Sequence, residues 1–244
     1  MDKKLKILGV RFDNISFEEA TKRALKFAVD TKQHYITTPN PEILLEAQRN
    51  NKFLKVLNRS DLNVADGIGI LWAAKYLKEP LQERVTGTDL VQSIAKEASK
   101  DEKQKIFMLG AAPGIAKKAA KILTEKHPNL KIVGTHAGSP KPKHEKEIIR
   151  LINKSQANII FVAYGAPAQE FWITRNLKKM PKVKLAIGIG GAFDFIAGKR
   201  KRAPKLFQSL GLEWLYRLIQ EPARLKRIFN ATVKFPLKVL KKGR

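Results

Sequence analysis

Residues 62–70 read LNVADGIGI, and this stretch decides how the rest of the chain is interpreted. A short apolar run ends at Ala65, a single carboxylate follows at Asp66, and from Ile68 the sequence becomes apolar with helical spacing. This pattern predicts a strand, an acidic residue, a tight glycine turn and the start of a helix. In an open α/β sheet, ligands bind beyond the carboxyl ends of the strands, which is where Asp66 would lie. The alternative is that Asp66 only caps the helix that starts at Gly67.

The same alternation of strand and helix continues on both sides of this stretch. The predicted strands are LKILGVRFD (5–13), HYITTPN (34–40), the run before Asp66, KIFMLG (105–110), NLKIVGTHAG (129–138), NIIFVAYG (158–165) and KLAIGIGGAFDFIAG (184–198). Segments with helical spacing of apolar residues separate them. The sequence therefore predicts an α/β fold, with a mostly parallel, Rossmann-like sheet that carries helices on both faces.

Composition limits the class of protein. A chain of 244 residues can bury a large core. It contains no cysteine, which excludes disulfides and thiolate metal sites and suggests a reducing compartment. No stretch approaches about eighteen uninterrupted apolar residues, so no transmembrane helix is predicted. The apolar run near the N-terminus is too short for a signal peptide.

The positive charge is concentrated at the C-terminal end of the chain. The net charge is +26, and residues 199–244 contain fourteen basic residues but only two acidic ones. Apolar residues recur there at helical spacing, as in Leu206, Phe207, Leu210, Trp214, Leu218 and Ile219. We therefore predict a core (1–198) followed by a basic, amphipathic helical appendage (199–244). Such an appendage either packs on the core or meets an anionic partner, such as nucleic acid, anionic lipid or a phosphate-rich substrate.

The ends of the predicted strands carry the groups suited to chemistry. Thr38, Asn40 and Asp66 follow the early strands, and glycine-rich turns follow the later ones, with Gly110, Gly114, Gly190 and Gly191 as candidates for phosphate binding. Each such glycine is alternatively only a tight turn. The chain has no Asp-x-Asp motif to hold a magnesium–diphosphate unit. A carboxylate that accepts a proton from a hydroxyl, together with cations that neutralise a phosphate leaving group, suits group transfer from an activated diphosphate.

Six sequence blocks occur in an order that carries a family resemblance. They are TTPNPEIL (37–44), VADGIGI (64–70), RVTGTDL (84–90), FMLGAAPG (107–114), YGAPAQEFWI (164–173) and IGGAFDFIAGKRKRAPKLFQSLGLEWLYRLIQEPARLKR (189–227). Together they resemble the WecG/TagA/CpsF family of bacterial glycosyltransferases. The resemblance extends from about Leu5 to Phe229, which is nearly the whole chain.

The resemblance implies a specific reaction. N-acetylmannosamine (ManNAc) would move from UDP-ManNAc to the C4 hydroxyl of N-acetylglucosamine (GlcNAc) carried on undecaprenyl diphosphate, with inversion at the anomeric carbon. This step belongs to the synthesis of wall teichoic acid or a related cell-surface polymer. Because the chain lacks an Asp-x-Asp motif, we also expect that the enzyme needs no metal or other cofactor. It would lie on the cytoplasmic side, bound peripherally to the inner face of the bacterial membrane.

The resemblance also assigns residues to roles. Asp66 maps onto the proposed general base of the family, and Asp194 is expected near the nucleotide. The other residues that the resemblance assigns to the active site are Thr38, Asn40, Arg84 and Gln169. Docking of the appendage would in addition bring Arg217, Arg224 and Arg227 over the rim of the site, where one or more of them could offset charge on the departing UDP.

Three other interpretations stay open at this point. A basic α/β protein could bind nucleic acid, using the cations of residues 199–205 against phosphates, although the main prediction includes no nucleic-acid partner. A related transferase could use another UDP-hexose, such as the uronic acid of UDP-ManNAc. A catalytically idle scaffold could bind lipid only. The oligomeric state is open as well, and a homo-oligomer is compatible with the sequence.

Overall fold

The protein is described by a computed structural model over residues 5–204, 207 and 213–242. The strands are β1 (Lys6–Ile7), β2 (Val10–Arg11), β3 (His34–Thr37), β4 (Leu62–Asn63), β5 (Lys105–Gly110), β6 (Lys131–His136), β7 (Ile159–Ala163) and β8 (Leu185–Gly188). The helices before residue 199 are α1 (Phe17–Ala28), α2 (Pro41–Ala47), α3 (Asn51–Arg59), α4 (Ile68–Tyr76), α5 (Gly87–Ala98), α6 (Ile115–Lys126), α7 (Glu145–Ser155), α8 (Ala168–Asn176) and α9 (Ala192–Ile196). The helices after residue 199 are α10 (Glu213–Gln220), α11 (Leu225–Phe229), a π-helical turn (Asn230–Lys234) and α12 (Phe235–Lys242).

A sheet of six parallel strands organises the chain, in the order β4-β3-β8-β7-β5-β6. Side chains alternate between its two faces, as the period of a strand requires. Ile106 and Met108 pack with α1, α5 and α6, whereas Phe107 and Leu109 pack with α7 and α8 on the opposite face. The predicted α/β fold, with helices on both faces of a parallel sheet, is confirmed.

The N-terminal segment differs from the prediction. Residues 5–13 were expected to form one strand, but they form an antiparallel hairpin of β1 and β2. The turn consists of Leu8 and Gly9, whose φ angles are 47° and 74°. Two consecutive residues with positive φ reverse the chain tightly, as in the turns preferred by two-residue hairpins. The prediction of a single strand was wrong because Leu8, an apolar residue, occupies the turn and continues the apolar pattern of the strands.

The Asp66 stretch follows the predicted order of strand, acid, turn and helix. β4 itself is only two residues long, but the chain stays beside β3 because the Asp66 N–H donates to the Pro39 carbonyl at 3.0 Å. Helix α4 is capped by Gly67, which has a φ of 117° and provides no side-chain hydrogen bond. The N-cap residue of α4 is therefore Gly67 and not Asp66, which differs from the position assumed in that alternative.

The C-terminal tail is attached to the core through its last helix. Phe235 and Val239, one turn apart on α12, are fully buried in the apolar cluster that also contains the N-terminal hairpin and helices α2 to α4. The Phe235 ring lies beside Gly69 of α4, where an added Cβ would be 3.8 Å from it, whereas the same Cβ would approach Cγ of Pro41 to 2.8 Å. The division into domains 1–198 and 199–244 stays a prediction, but α12 shares the core.

Other apolar residues of the tail are exposed. Trp214 and Ile219, which were predicted to form an amphipathic face, are 36% and 70% exposed. Leu225, Phe229 and Val233, further along the tail, are also exposed. Leu206 and Leu210 lie outside the described residues. No helix within the described ranges is both long enough and apolar enough to cross a bilayer.

We expect Phe235→Ala to lower the free energy of unfolding by about 3 kcal/mol, because truncating a buried aromatic ring removes its contacts and leaves a cavity. Phe229→Ala is the matched control, since that ring is 50% exposed and its loss should change the stability by no more than about 0.5 kcal/mol. Guanidinium unfolding followed by circular dichroism measures both. Equal effects of the two substitutions would contradict the packing of α12 on the core.

Candidate active site

Two cavities share a wall at the carboxyl ends of β3, β7 and β8. The first has a volume of about 670 Å³ and the second about 630 Å³. Residues that line both cavities form the shared wall; they are Asn40, Glu42, Asp66, Thr88, Phe195 and Arg227. Asp66 therefore lies where a group held in one cavity can meet a group held in the other.

The first cavity lies between α4 and the C-terminal tail, and much of its lining is apolar. Trp72 of α4, Trp214 of α10 and Pro236 of α12 contribute its apolar side. Arg84 and Arg202 line the same cavity. An amphiphilic ligand with a charged head and an apolar body matches this combination of side chains.

The second cavity is formed by the exits of three neighbouring strands. Thr38 follows β3, and its hydroxyl donates to the Gly188 carbonyl of β8 at 3.2 Å. Gly190 and Gly191 follow β8, and Asp194 stands in the short helix after them. Asn40 lies between the two cavities and caps α2, because its side-chain oxygen accepts from the Ile43 N–H at 3.0 Å. The sequence-predicted residues Thr38, Asn40 and Asp194 are thus brought together with Asp66.

The cations around Asp66 are held by carboxylates. Arg202 makes a two-pronged ion pair with Asp89 of α5. The pKa of the Arg202 guanidinium is raised, mainly by its hydrogen bond to Asp89 and to a smaller extent by the carboxylates of Glu213 and Asp66. Arg202 is therefore a permanent cation close to the Asp66 carboxylate.

Two arginines predicted for the site pair with carboxylates between the core and the tail. Arg84 donates from Nη1 to Oε2 of Glu213, the first residue of α10, at 3.3 Å. Arg227 donates from Nε and Nη2 to Oε2 of Glu42 at 3.0 and 2.5 Å. These pairs close the tail over the shared wall. The side chains of Arg217 and Arg224 lie outside the described part of the chain.

A third ion-pair cluster surrounds Asp194. Its Oδ1 lies 3.7 Å from Nζ of Lys199, and its Oδ2 lies 4.0 Å from Nη1 of Arg200. Arg200 also reaches Oε1 of Glu221 with its Nε, at 3.0 Å. Because Arg200 lines the second cavity beside Gly191, it is a cation available to an anionic ligand there.

Gln169 has a structural role that the sequence did not indicate. Its Oε1 accepts from the N–H groups of Gly165 at 3.1 Å and Gly190 at 3.0 Å, and its Nε2 donates to Oε1 of Glu170 at 2.7 Å. The side chain is 1% exposed, so these bonds tie the loop after β7 to the loop after β8. The Gly190 N–H, expected to be available to a phosphate, donates to Gln169 instead.

Gly110 and Gly114 are not brought to the cavities. Gly110 has a φ of 102°, and a Cβ there would approach the backbone of Ala163 to 2.7 Å. Its lack of a side chain therefore allows β5 to pair closely with β7. Gly114 precedes α6 with a φ of 80°. Neither lines the two cavities, and their part in nucleotide binding stays a prediction.

Sequence reasoning missed three charged residues of the site. Glu42 was available in the TTPNPEIL block, and its position in the first turn of α2 puts it beside Asn40. Arg200 and Arg202 belong to the run KRKRAP, which was interpreted as part of a basic appendage or, in one alternative, as a contact for nucleic-acid phosphates. Within the described residues, no group of three or more histidine, aspartate or glutamate side chains is arranged to hold a metal ion.

Glu170 should make the stability of the protein depend on pH. Complete burial raises the pKa of this carboxyl to about 7. An acid with a raised pKa in the folded state stabilises the fold below its unfolded-state pKa, and this contribution is lost as the pH rises through the folded-state value. Between about pH 5 and pH 8, we expect wild-type stability to fall by on the order of 3 kcal/mol relative to Glu170→Gln.

Chemical denaturation across this pH range measures the effect. Glu147→Gln is the control, because Glu147 is exposed on α7 and its replacement should leave the wild-type profile unchanged. If Glu170→Gln also follows the wild-type profile, another group is responsible for the pH dependence.

Comparison with known proteins identifies the family of the chain. The profile of the glycosyl transferase WecG/TagA/CpsF family matches residues 5–244. An N-acetylglucosaminyldiphosphoundecaprenol N-acetyl-beta-D-mannosaminyltransferase of Bacillus spizizenii is 36% identical over 213 residues, covering 87% of this chain and 81% of the relative. A transferase of the same name from Staphylococcus aureus is 32% identical over 243 residues, covering 99% of this chain and 94% of the relative. The chain belongs to the WecG/TagA/CpsF family of glycosyltransferases.

Proposed function

We propose that this glycosyltransferase moves ManNAc from UDP-ManNAc to the C4 hydroxyl of GlcNAc on undecaprenyl diphosphate, with inversion. The observation that carries the proposal is the position of Asp66 on the wall shared by a polar and a more apolar cavity. The names of the relatives support the sugar and the lipid-linked acceptor. The reaction would serve the synthesis of wall teichoic acid or a related polymer.

The two cavities suit the two substrates. The second cavity, with Thr38, Asp194 and Arg200, offers hydrogen-bonding groups and a cation to a UDP-sugar. The first cavity, with its tryptophans and three arginines, offers apolar surface and positive charge to a lipid-linked sugar diphosphate. Each volume is within the range of about 300–1,000 Å³ that is typical of small-molecule sites.

The proposed chemistry follows from this division. Asp66 accepts the proton of the acceptor C4 hydroxyl as its oxygen attacks the anomeric carbon of the donor. The bond between that carbon and the UDP oxygen breaks, and its electron pair leaves on the diphosphate. Attack from the face opposite the leaving group inverts the anomeric centre.

Cations then offset the charge on the departing diphosphate. Arg84 and Arg227 line the cavities but are paired with Glu213 and Glu42. Guanidinium groups bind phosphate through two parallel hydrogen bonds, as they bind carboxylate. A diphosphate could therefore replace these carboxylates on the same donors. Arg217 and Arg224, predicted for the same task, stay assigned to it as part of this proposal.

Because its proposed acceptor is anchored in the membrane by a lipid, the enzyme would bind peripherally to the inner face of the membrane. The tail carries the features for this, because exposed apolar residues such as Ile219 and Leu225 stand among its lysines and arginines. Basic residues near an anionic leaflet each contribute about 1 kcal/mol to binding. We include an anionic membrane surface among the partners, and no nucleic acid.

Release of UDP from a panel of UDP-sugars, measured with a lipid-diphosphate GlcNAc acceptor, tests the proposal. We expect turnover with UDP-ManNAc that depends on the acceptor. If only a different UDP-hexose supports turnover, that sugar nucleotide is the donor in place of UDP-ManNAc. Strong RNA binding without any release of UDP would favour the nucleic-acid alternative.

Asp66→Asn should reduce turnover by about 10²- to 10⁴-fold, since the amide keeps the shape of the side chain but removes its basicity. UDP binding, measured by calorimetry, should change little. Asp101→Asn is the control, because Asp101 lies in the loop before β5, at the amino ends of the strands and away from the site. Retention of more than about a tenth of wild-type turnover by Asp66→Asn would remove Asp66 from the role of general base.

We expect activity to survive treatment with EDTA, because protein cations would neutralise the diphosphate in place of a metal ion. UDP release is measured before treatment with EDTA, and again after the treatment and removal of the chelator. Loss of activity that magnesium or manganese restores would identify a metal requirement and contradict this part of the proposal.

A further inference from the structure

Helix α4 exposes an apolar stripe that core packing does not require. Ile68, Trp72 and Tyr76 follow one another at intervals of four residues and are 46%, 40% and 48% exposed. The opposite side of the helix is fully buried, through Ile70 and Ala73. The stripe therefore lies on the face of α4 that points away from the core. Ile68 and Trp72 at one end of it also line the first cavity.

The two aromatic rings of this stripe are ordered against each other. The Trp72 and Tyr76 rings are stacked, with centroids 5.7 Å apart and planes inclined by 12°. Because each ring restricts its neighbour, the pair loses less side-chain entropy on binding than two independent aromatic residues would. Tryptophan and tyrosine, which combine an apolar ring with a polar group, are the residues enriched where proteins meet the membrane–water boundary.

The stripe continues onto the tail. Phe235 of α12 packs against α4 at Gly69, and the next residue, Pro236, lines the first cavity together with Trp72. Leu240 lies one turn after Pro236 on the same side of α12 and is 50% exposed. The outer stripe of α4 and this side of α12 thus flank the first cavity.

Positive charge surrounds this surface. Lys75 on α4 and Lys241 and Lys242 on α12 are all exposed. The whole chain has a net charge of +26, so a second copy of the same lysine-flanked face would be repelled. An anionic surface would instead be attracted to it.

We infer that the Ile68–Trp72–Tyr76 stripe contacts the interfacial layer of an anionic lipid bilayer. The folded core, and not only the basic tail, then docks on the membrane. The inference rests on the proposed function in one respect, that the acceptor is anchored in the bilayer. With the stripe in the headgroup region, the mouth of the first cavity opens at the membrane surface, so the sugar can approach Asp66 while its lipid stays in the leaflet.

Tryptophan fluorescence tests this contact directly. The chain has three tryptophans, and Trp172 is fully buried. In the full-length Trp214→Phe variant, Trp72 is therefore the tryptophan open to quenching. The variant is mixed with vesicles of phosphatidylglycerol and phosphatidylcholine in which the phosphatidylcholine carries bromine at a shallow or a deep acyl position. We expect the vesicles to quench about half of the Trp72 emission, with more quenching by shallow bromine, as for a side chain at the headgroup boundary.

A cosedimentation experiment supplies the second measurement. Trp72→Ala combined with Tyr76→Ala should lower partition into the same vesicles about tenfold, because most of the apolar area of the stripe is lost. Val29→Ala is the control, since Val29 is 62% exposed at the end of α1 and its loss should leave partition unchanged. Circular dichroism confirms that each variant is folded.

The results of these measurements distinguish a bilayer from other partners of the Ile68–Trp72–Tyr76 stripe. Cosedimentation without quenching of Trp72 would overturn the inference and leave the tail as the membrane contact. Failure of the wild-type chain to bind anionic vesicles would also overturn it. A dimer in sedimentation equilibrium that Trp72→Ala dissociates, again without quenching, would assign the stripe to a second copy. Neither measurement uses donor or acceptor, so failure of the UDP-release assay is a separate result.

Discussion

The parallel pairing of β3 with β8 is the constraint on which the site depends. Ile36 pairs with Ile187 in the register, so the two strands end at the same edge of the sheet. The hydrogen bond from Thr38 to the carbonyl of Gly188 continues this pairing beyond the strands. On the other side of β8, Gln169 ties the exits of β7 and β8 together. Backbone pairing thus positions the loops on which the polar side chains of the second cavity stand, and a shift of register would separate them.

Ion pairs connect this fixed edge to the tail. The carboxylates of Glu42 and Glu213 hold Arg227 and Arg84, and each pair joins the core to the segment after residue 204. Partly exposed ion pairs contribute little to stability on average, so α12, with Phe235 in the core, is the stronger attachment. In the proposed reaction the same arginines would exchange a carboxylate for a diphosphate. Substrate binding and the position of the tail would then be coupled through shared hydrogen-bond donors.

The sequence predicted those parts of the structure in which local pattern and global fold agree. Strands such as β5 and β7 were identified because continuous apolar runs are typical of strands that are buried on both faces. The role of Gln169 could not be read from the sequence, because its partners Gly165 and Gly190 are loop N–H groups that only the folded sheet brings within reach. Glu42 and Arg227 are 185 positions apart, and no local signal relates such residues.

The tail shows why helical periodicity alone could not decide between packing on the core and docking on a membrane. Both roles need an apolar face with a repeat of three to four residues. In α12 a buried side and an exposed side occur on one helix, with Phe235 and Val239 buried and Leu237 and Leu240 exposed. Helix α4, which α12 touches at Gly69, has the same division between a buried face and an exposed one. Two helices packed through their buried faces leave their outer faces beside each other, so the packing that anchors the tail also assembles the surface proposed to meet the bilayer.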